Sequence, residues 1–154
     1  MAMSSHFPDW VQWLPTLHEE IRLKNPASSQ AIEEAERALH VQFTEELRSV
    51  LSVSNGVMGL LGCWLVWPVE EIVKTNMELR TMEGMKKLYM PFDHLLFIGD
   101  VGNGDYFAYP IMADGTMSLT HGIFRWDHEM DNRAWVASTL RQYMEGFTSG
   151  AIKA

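Results

Sequence analysis

The 154 residues carry a formal net charge of -8, with 47% apolar and 21% charged side chains. That balance suits a folded chain of one domain with a real core, and an acidic surface argues against a general nucleic-acid binder, whose phosphate contacts need Lys and Arg. A lone cysteine, Cys63, excludes an internal disulfide and fits a reducing compartment, and no apolar run nears the roughly 20 residues that span a bilayer.

In chain order, Trp10, Trp13, Leu14, Leu17 and Ile21 recur at helical spacing behind Asp9, a good N-cap. Pro15 requires either a first-turn position or a kink in that helix. After the break Lys24-Asn25-Pro26, the periodicity predicts a helix from about Ser29 to Leu39, with Ile32, Ala35 and Leu39 inward and Glu33, Glu34 and Glu36 in solvent. Thr44 with Glu45 and Glu46 starts a third helix, its acids suiting the positive end of the dipole and its Leu47, Val50 and Leu51 buried. Asn55-Gly56 is a turn, and Val57 to Trp67, apolar and broken by glycine, holds one or two strands. Cys63 within it reads as a small buried hydrophobe. Pro68 opens a helix at its first position, carrying Ile72, Val73 and Leu79. Met77, Met82, Met85 and Met90 read as gap-fillers, because thioether metal sites need a clustering this spacing lacks.

The stretch Ile98 to Ile111 organises the second half of the chain. Leu95 to Ile98 and Tyr106 to Tyr109 are strand-like, and Gly99, Gly102 and Gly104 alternate with Asp100, Asn103 and Asp105 between them. That composition predicts a hairpin with a tight polar bend. Asp114-Gly115 is a second turn, and His121 to Trp126 a third strand with Ile123 and Phe124 on opposite faces. Ser138 caps a last helix whose Leu140, Tyr143, Met144 and Phe147 form its buried stripe, and Gly150 stops it. The fold class is α+β, one domain over residues 1–154. Leu95–Ile98, Tyr106–Tyr109 and Ile123–Trp126 are expected in one antiparallel sheet, with the terminal helix buried against the rest of the domain.

The order and spacing of four pieces resemble the SUKH superfamily, the Smi/Knr group. They are the acidic helix and its amphipathic successor before Ser54-Asn55-Gly56; Trp67-Pro68-Val69-Glu70-Glu71-Ile72; Phe97-Ile98-Gly99-Asp100 with Gly104-Asp105-Tyr106-Phe107; and Gly122-Ile123-Phe124-Arg125-Trp126-Asp127-His128-Glu129, closing on Val136-Ala137-Ser138. The likeness runs over roughly residues 28 to 148. It departs at Phe43-Thr44, where members usually carry a proline, and a threonine cap can fill that role. The resemblance implies helices against a mainly antiparallel sheet and a role in protein binding, with no catalytic residue and no cofactor. Bacterial members look like immunity proteins that bind and neutralise a toxin, often a nuclease; fungal relatives regulate cell-wall synthesis through protein contacts.

The expectation is therefore a cytoplasmic, non-enzymatic immunity protein for a basic, nuclease-like toxin, with no direct nucleic-acid or membrane contact. The N-terminus, Met1-Ala2-Met3-Ser4-Ser5-His6, lacks the pattern of a secretory signal. The alternative is an intracellular regulator or adaptor. Partner-binding candidates are Trp126, Asp127, Glu129 and Asp131, an aromatic and three carboxylates just past a strand, with Asp100 and Asp105 in the hairpin second. The bland reading of the same segment puts Trp126 in the core, Asp131 at the end of the turn and the other acids in solvent. No metal site is expected: His128-Glu129 begins like a zincin motif, but Asn132 stands where its second histidine belongs. The hairpin acids also fail the calcium-loop pattern.

Overall fold

Asp9 accepts from the Gln12 amide and starts α1 (Trp10–Trp13), which passes at Pro15 into a 3₁₀ turn over Leu14–Thr16 instead of continuing as a helix to Ile21. The computed structural model describes residues 7–112 and 122–152, so the predicted Asp114-Gly115 turn and His121 lie outside the described residues. β1 (Arg22–Leu23) leads to α2 (Ser29–Leu39), capped by Ser28 and ended by His40 in the left-handed region, with Ile32, Ala35 and Leu39 buried as the periodicity predicts. Thr44 caps α3 (Glu45–Leu51) through the Leu47 amide. The apolar stretch that follows forms β2 (Val57–Met58), a 3₁₀ turn over Leu60–Gly62, and β3 (Trp64–Val66). Beyond it come α4 (Val69–Thr81) and α5 (Glu83–Leu88). Pro68 is the residue before α4 rather than its first, so it stands one position earlier than the sequence suggests.

β4 (Leu95–Asp100), β5 (Tyr106–Pro110), β6 (Ile123–Asp127) and β7 (Asn132–Ala137) form one antiparallel sheet in the order β4-β5-β6-β7, and β1-β2-β3 form a second. The three strands expected to share a sheet do so, with Leu96 opposite Tyr109 and Tyr106 opposite Trp126. The two sheets meet where the Trp67 amide donates to the Ile98 carbonyl at 2.6 Å. Gly99 makes that approach possible, because a Cβ there would run into the Leu65 carbonyl. β4 is an edge strand, and Asn76 of α4 covers its edge: the amide nitrogen donates to the Phe97 carbonyl at 2.9 Å and the amide oxygen accepts from the Phe97 N–H at 2.9 Å.

α6 (Leu140–Ser149) lays Leu140, Tyr143, Met144 and Phe147 against the sheet, the Phe147 ring 5.7 Å from Phe107 and the Tyr143 hydroxyl donating to the Leu65 carbonyl at 2.7 Å. Its N-cap is Thr139, whose side chain accepts from Gln142, rather than Ser138; Ser138 instead donates its amide to the Gln142 side chain. Five residues depart more substantially from expectation. Glu46, read only as a first-turn acid that suits the dipole of α3, is 3% exposed and accepts from the Leu140 amide and the Tyr109 hydroxyl, which joins α3 to the start of α6. Burial pushes its carboxyl up, and those two hydrogen bonds oppose the rise. Met77, Met82 and Met90 are exposed rather than filling gaps, since α4 turns its stripe of Val69, Ile72, Thr75, Asn76 and Leu79 inward and leaves Met77 outside it; only Met85 of the four packs against the core. Cys63 is half-buried, not fully so.

Candidate functional site

Two turns come together at one end of the four-stranded sheet, because β5 and β6 are neighbours in register. The β4–β5 turn holds Gly102 and Gly104 at φ 86° and 100°, and Asn103 accepts from the Asp105 amide at 3.0 Å. In the β6–β7 turn, Asp127 accepts from the amides of Glu129 at 2.9 Å and Met130 at 3.4 Å, and Asp131 takes the left-handed conformation that Asp tolerates. Asp105 ties the turns together. One oxygen receives the Arg125 guanidinium at 2.7 Å; the other receives the His128 amide at 3.1 Å and its ring Nδ1 at 2.6 Å. Gly104 is required beside this contact, since a Cβ would stand 2.9 Å from the His128 ring.

The electrostatics follow from those partners. Burial works to raise the Asp105 carboxyl, but His128 and Arg125 outweigh it and hold the group below the usual range. The hydrogen bond that its ring donates to Asp105 raises His128 above its ordinary value. Asp131 repeats the pattern: burial would raise it, while the Met90 amide, Arg133 and the Trp126 indole, at 2.9, 2.8 and 2.8 Å, bring it down.

The sequence candidates thus divide. Trp126 is 3% exposed and packed against Tyr89, Phe92, Phe97 and Tyr106, with ring centroids 5.0 to 5.6 Å away. Asp105 is buried, and Asp131 is turned toward the protein. Asp127 and Asp100 are half-buried and Glu129 is exposed. Asp100 accepts from the Trp67 indole at 2.7 Å, away from the other acids, at the mouth of a cleft against α4. Asp105, Asp127 and His128 bring one potential metal-ligand atom each within 4.8 Å of one another. Both Asp105 oxygens already serve Arg125 and His128, so a cation there would have to displace an internal one.

Sequence reasoning gave no site role to Arg125, Arg133 or Glu46. The two arginines flank the acids in the chain, and counting them with the acids would have flagged compensation. Glu46 has no comparable local signal, because its partner Leu140 lies 94 residues away.

Residues 29–144 match the family model described as SUKH_6: SMI1-KNR4 cell-wall. The chain belongs to the SUKH superfamily. No curated protein matches it. The SUKH match runs from α2 into α6 and so takes in both turns and the cleft, leaving α1 and β1 outside. Among the described residues of this SUKH protein, no helix is long and apolar enough to cross a membrane. Its one thiol is poorly suited to nucleophilic chemistry: burial, then the charge of Asp100, pushes Cys63 up and disfavours the thiolate.

Proposed function

We propose that this SUKH protein is a non-enzymatic cytoplasmic immunity protein that binds and neutralises a cognate basic toxin domain, of nuclease type. The observation that carries the reading is the family match over residues 29–144. The acidic balance supports it, because a complementary potential speeds encounter with a basic partner. The sheet end supports it too: Asp127 and Glu129 stand on a turn held by the Asp105 network, so little ordering is needed on binding. Trp126 contributes by anchoring that turn from beneath, through its indole bond to Asp131.

The test is rescue. The toxin domain encoded beside this gene is expressed with and without this protein, and growth restored by stoichiometric binding is the expected result. No rescue by the folded protein contradicts the reading. The cell-wall part of the family description favours a second reading, an intracellular regulator or adaptor acting through protein contacts. Stoichiometric capture of a cell-wall regulatory protein of the same cell, with no rescue, would select it.

A further inference from the structure

A cleft of about 460 Å³ lies between the start of α4 and the β4–β5 turn. Its aromatic walls are Trp64, Trp67 and Tyr106, the last two packed edge-to-face with centroids 5.0 Å apart. Two carboxylates line it, Glu71 and Asp100, and none of its lining side chains is basic. Each carboxylate is aimed by one oxygen only. Glu71 Oε2 accepts from the Thr75 hydroxyl at 2.7 Å, and Asp100 Oδ2 accepts from the Trp67 indole at 2.7 Å. Among the described residues, Glu71 Oε1 and Asp100 Oδ1 hold no hydrogen bond. Helix-dipole complementarity accounts for Glu71 alone, and an indole acceptor accounts for Asp100 alone. Neither accounts for two oriented acids sharing an aromatic cleft without a cation.

We propose that this cleft receives one guanidinium group, an arginine side chain of the protein partner. The proposal deepens the protein-binding reading above and rests on it for the partner. Two full negative charges outweigh the roughly half positive charge at the start of α4, so the cleft attracts a cation. A guanidinium fits better than an ammonium, because it offers parallel N–H groups to carboxylates and a flat face to aromatic rings. The convergence of charge is visible at Tyr106, whose hydroxyl is pushed up by burial first and then by Asp100, Glu71 and Glu78. Trp64 already shows that it can face a cation, with Lys24 Nζ 5.6 Å from its ring centroid, although Lys24 does not line the cleft and is not ion-paired with Glu71 or Asp100.

The probe is Nα-acetyl-arginine amide, titrated into ¹⁵N-labelled protein while the indole N–H signals of Trp64 and Trp67 are followed. Saturable shifts are expected. The neutral isostere Nα-acetyl-citrulline amide should bind at least about tenfold more weakly, as loss of a charge-assisted hydrogen bond implies, and Nα-acetyl-lysine amide should fall between them. Glu71→Gln with Asp100→Asn keeps size and the indole acceptor and should abolish the arginine shifts; if that pair unfolds, Glu71→Gln alone should weaken them. Equal binding of citrulline, arginine shifts that survive in a folded variant, or no saturable shift in the wild type overturns the proposal. A protein that rescues growth yet ignores arginine loses the cleft and keeps immunity. One that takes arginine without rescue loses immunity and keeps the cleft.

Discussion

The two acidic regions of this SUKH protein differ in who answers their charge. At the sheet end, Asp105 and Asp131 are met by Arg125, His128 and Arg133 of the same chain, and both carboxyls are held low. In the cleft, Glu71 and Asp100 are oriented by a hydroxyl and an indole, with no basic side chain among the lining residues. The denser acidic segment in the sequence is therefore the more self-sufficient one. What marks an acid as available to a partner is the lack of an internal cation, and acid density alone does not report it.

The comparison can be broken by mutation. Phe147→Ala sets the scale, because it hollows the core beneath α6; it should cost about 3–5 kcal/mol in denaturant unfolding. Asp105→Asn should follow at about 3 kcal/mol, since it removes the charge from a buried carboxylate that pairs with the Arg125 guanidinium and with His128. Glu71→Gln, by contrast, should stay within about 0.5 kcal/mol of wild type, as a surface change that keeps the Thr75 hydrogen bond. Equal losses for Asp105→Asn and Glu71→Gln would erase the distinction between the regions.

Proton linkage sharpens the same contrast. The folded Asp105 carboxyl lies below its ordinary 3.8, so its contribution is present above 3.8 and is lost as pH falls through the folded value. The folded His128 lies above its ordinary 6.5, so its contribution is complete below 6.5 and is lost as pH rises through the folded value. The pair should stabilise most between those limits. His128→Gln should lower the thermal midpoint on the acid side of 6.5 and lose its effect at higher pH; a deficit independent of pH would show that packing, not charge, is at work.

The smallest effect on folding is expected for Asp127→Asn with Glu129→Gln. Asp127→Asn keeps an oxygen for the Glu129 amide, and Glu129 is exposed, so stability should be unchanged within about 0.5 kcal/mol. Asp131 does not belong in that variant, because it holds Trp126, Arg133 and the Met90 amide together.

What the sequence made legible was whatever repeats locally. The stripe Ile32, Ala35, Leu39, the Thr44 cap, the β4–β5 hairpin and the stripe of α6 all follow from spacing, and all are present. Pro15 limits the first helix as its chemistry requires. Contacts between distant residues were not legible. Nothing near Glu46 announces Leu140, nothing near Asn76 announces Phe97, and Met77 looks like core until the inward stripe of α4 is known. The candidate segment was found in the sequence, but the partners of its acids depend on strand register, which places Asp105 beside Arg125 and His128.

The most direct test of the account is the association rate with the cognate toxin domain, measured against ionic strength. The wild type should associate fast and slow steeply with salt, as a complementary acidic face requires. Asp127→Asn with Glu129→Gln, and separately Glu71→Gln with Asp100→Asn, should each slow association at low salt and flatten the salt dependence while the fold is retained. Unchanged rates and slopes in both folded variants would contradict the claim that the acids without an internal cation are the ones that meet the partner.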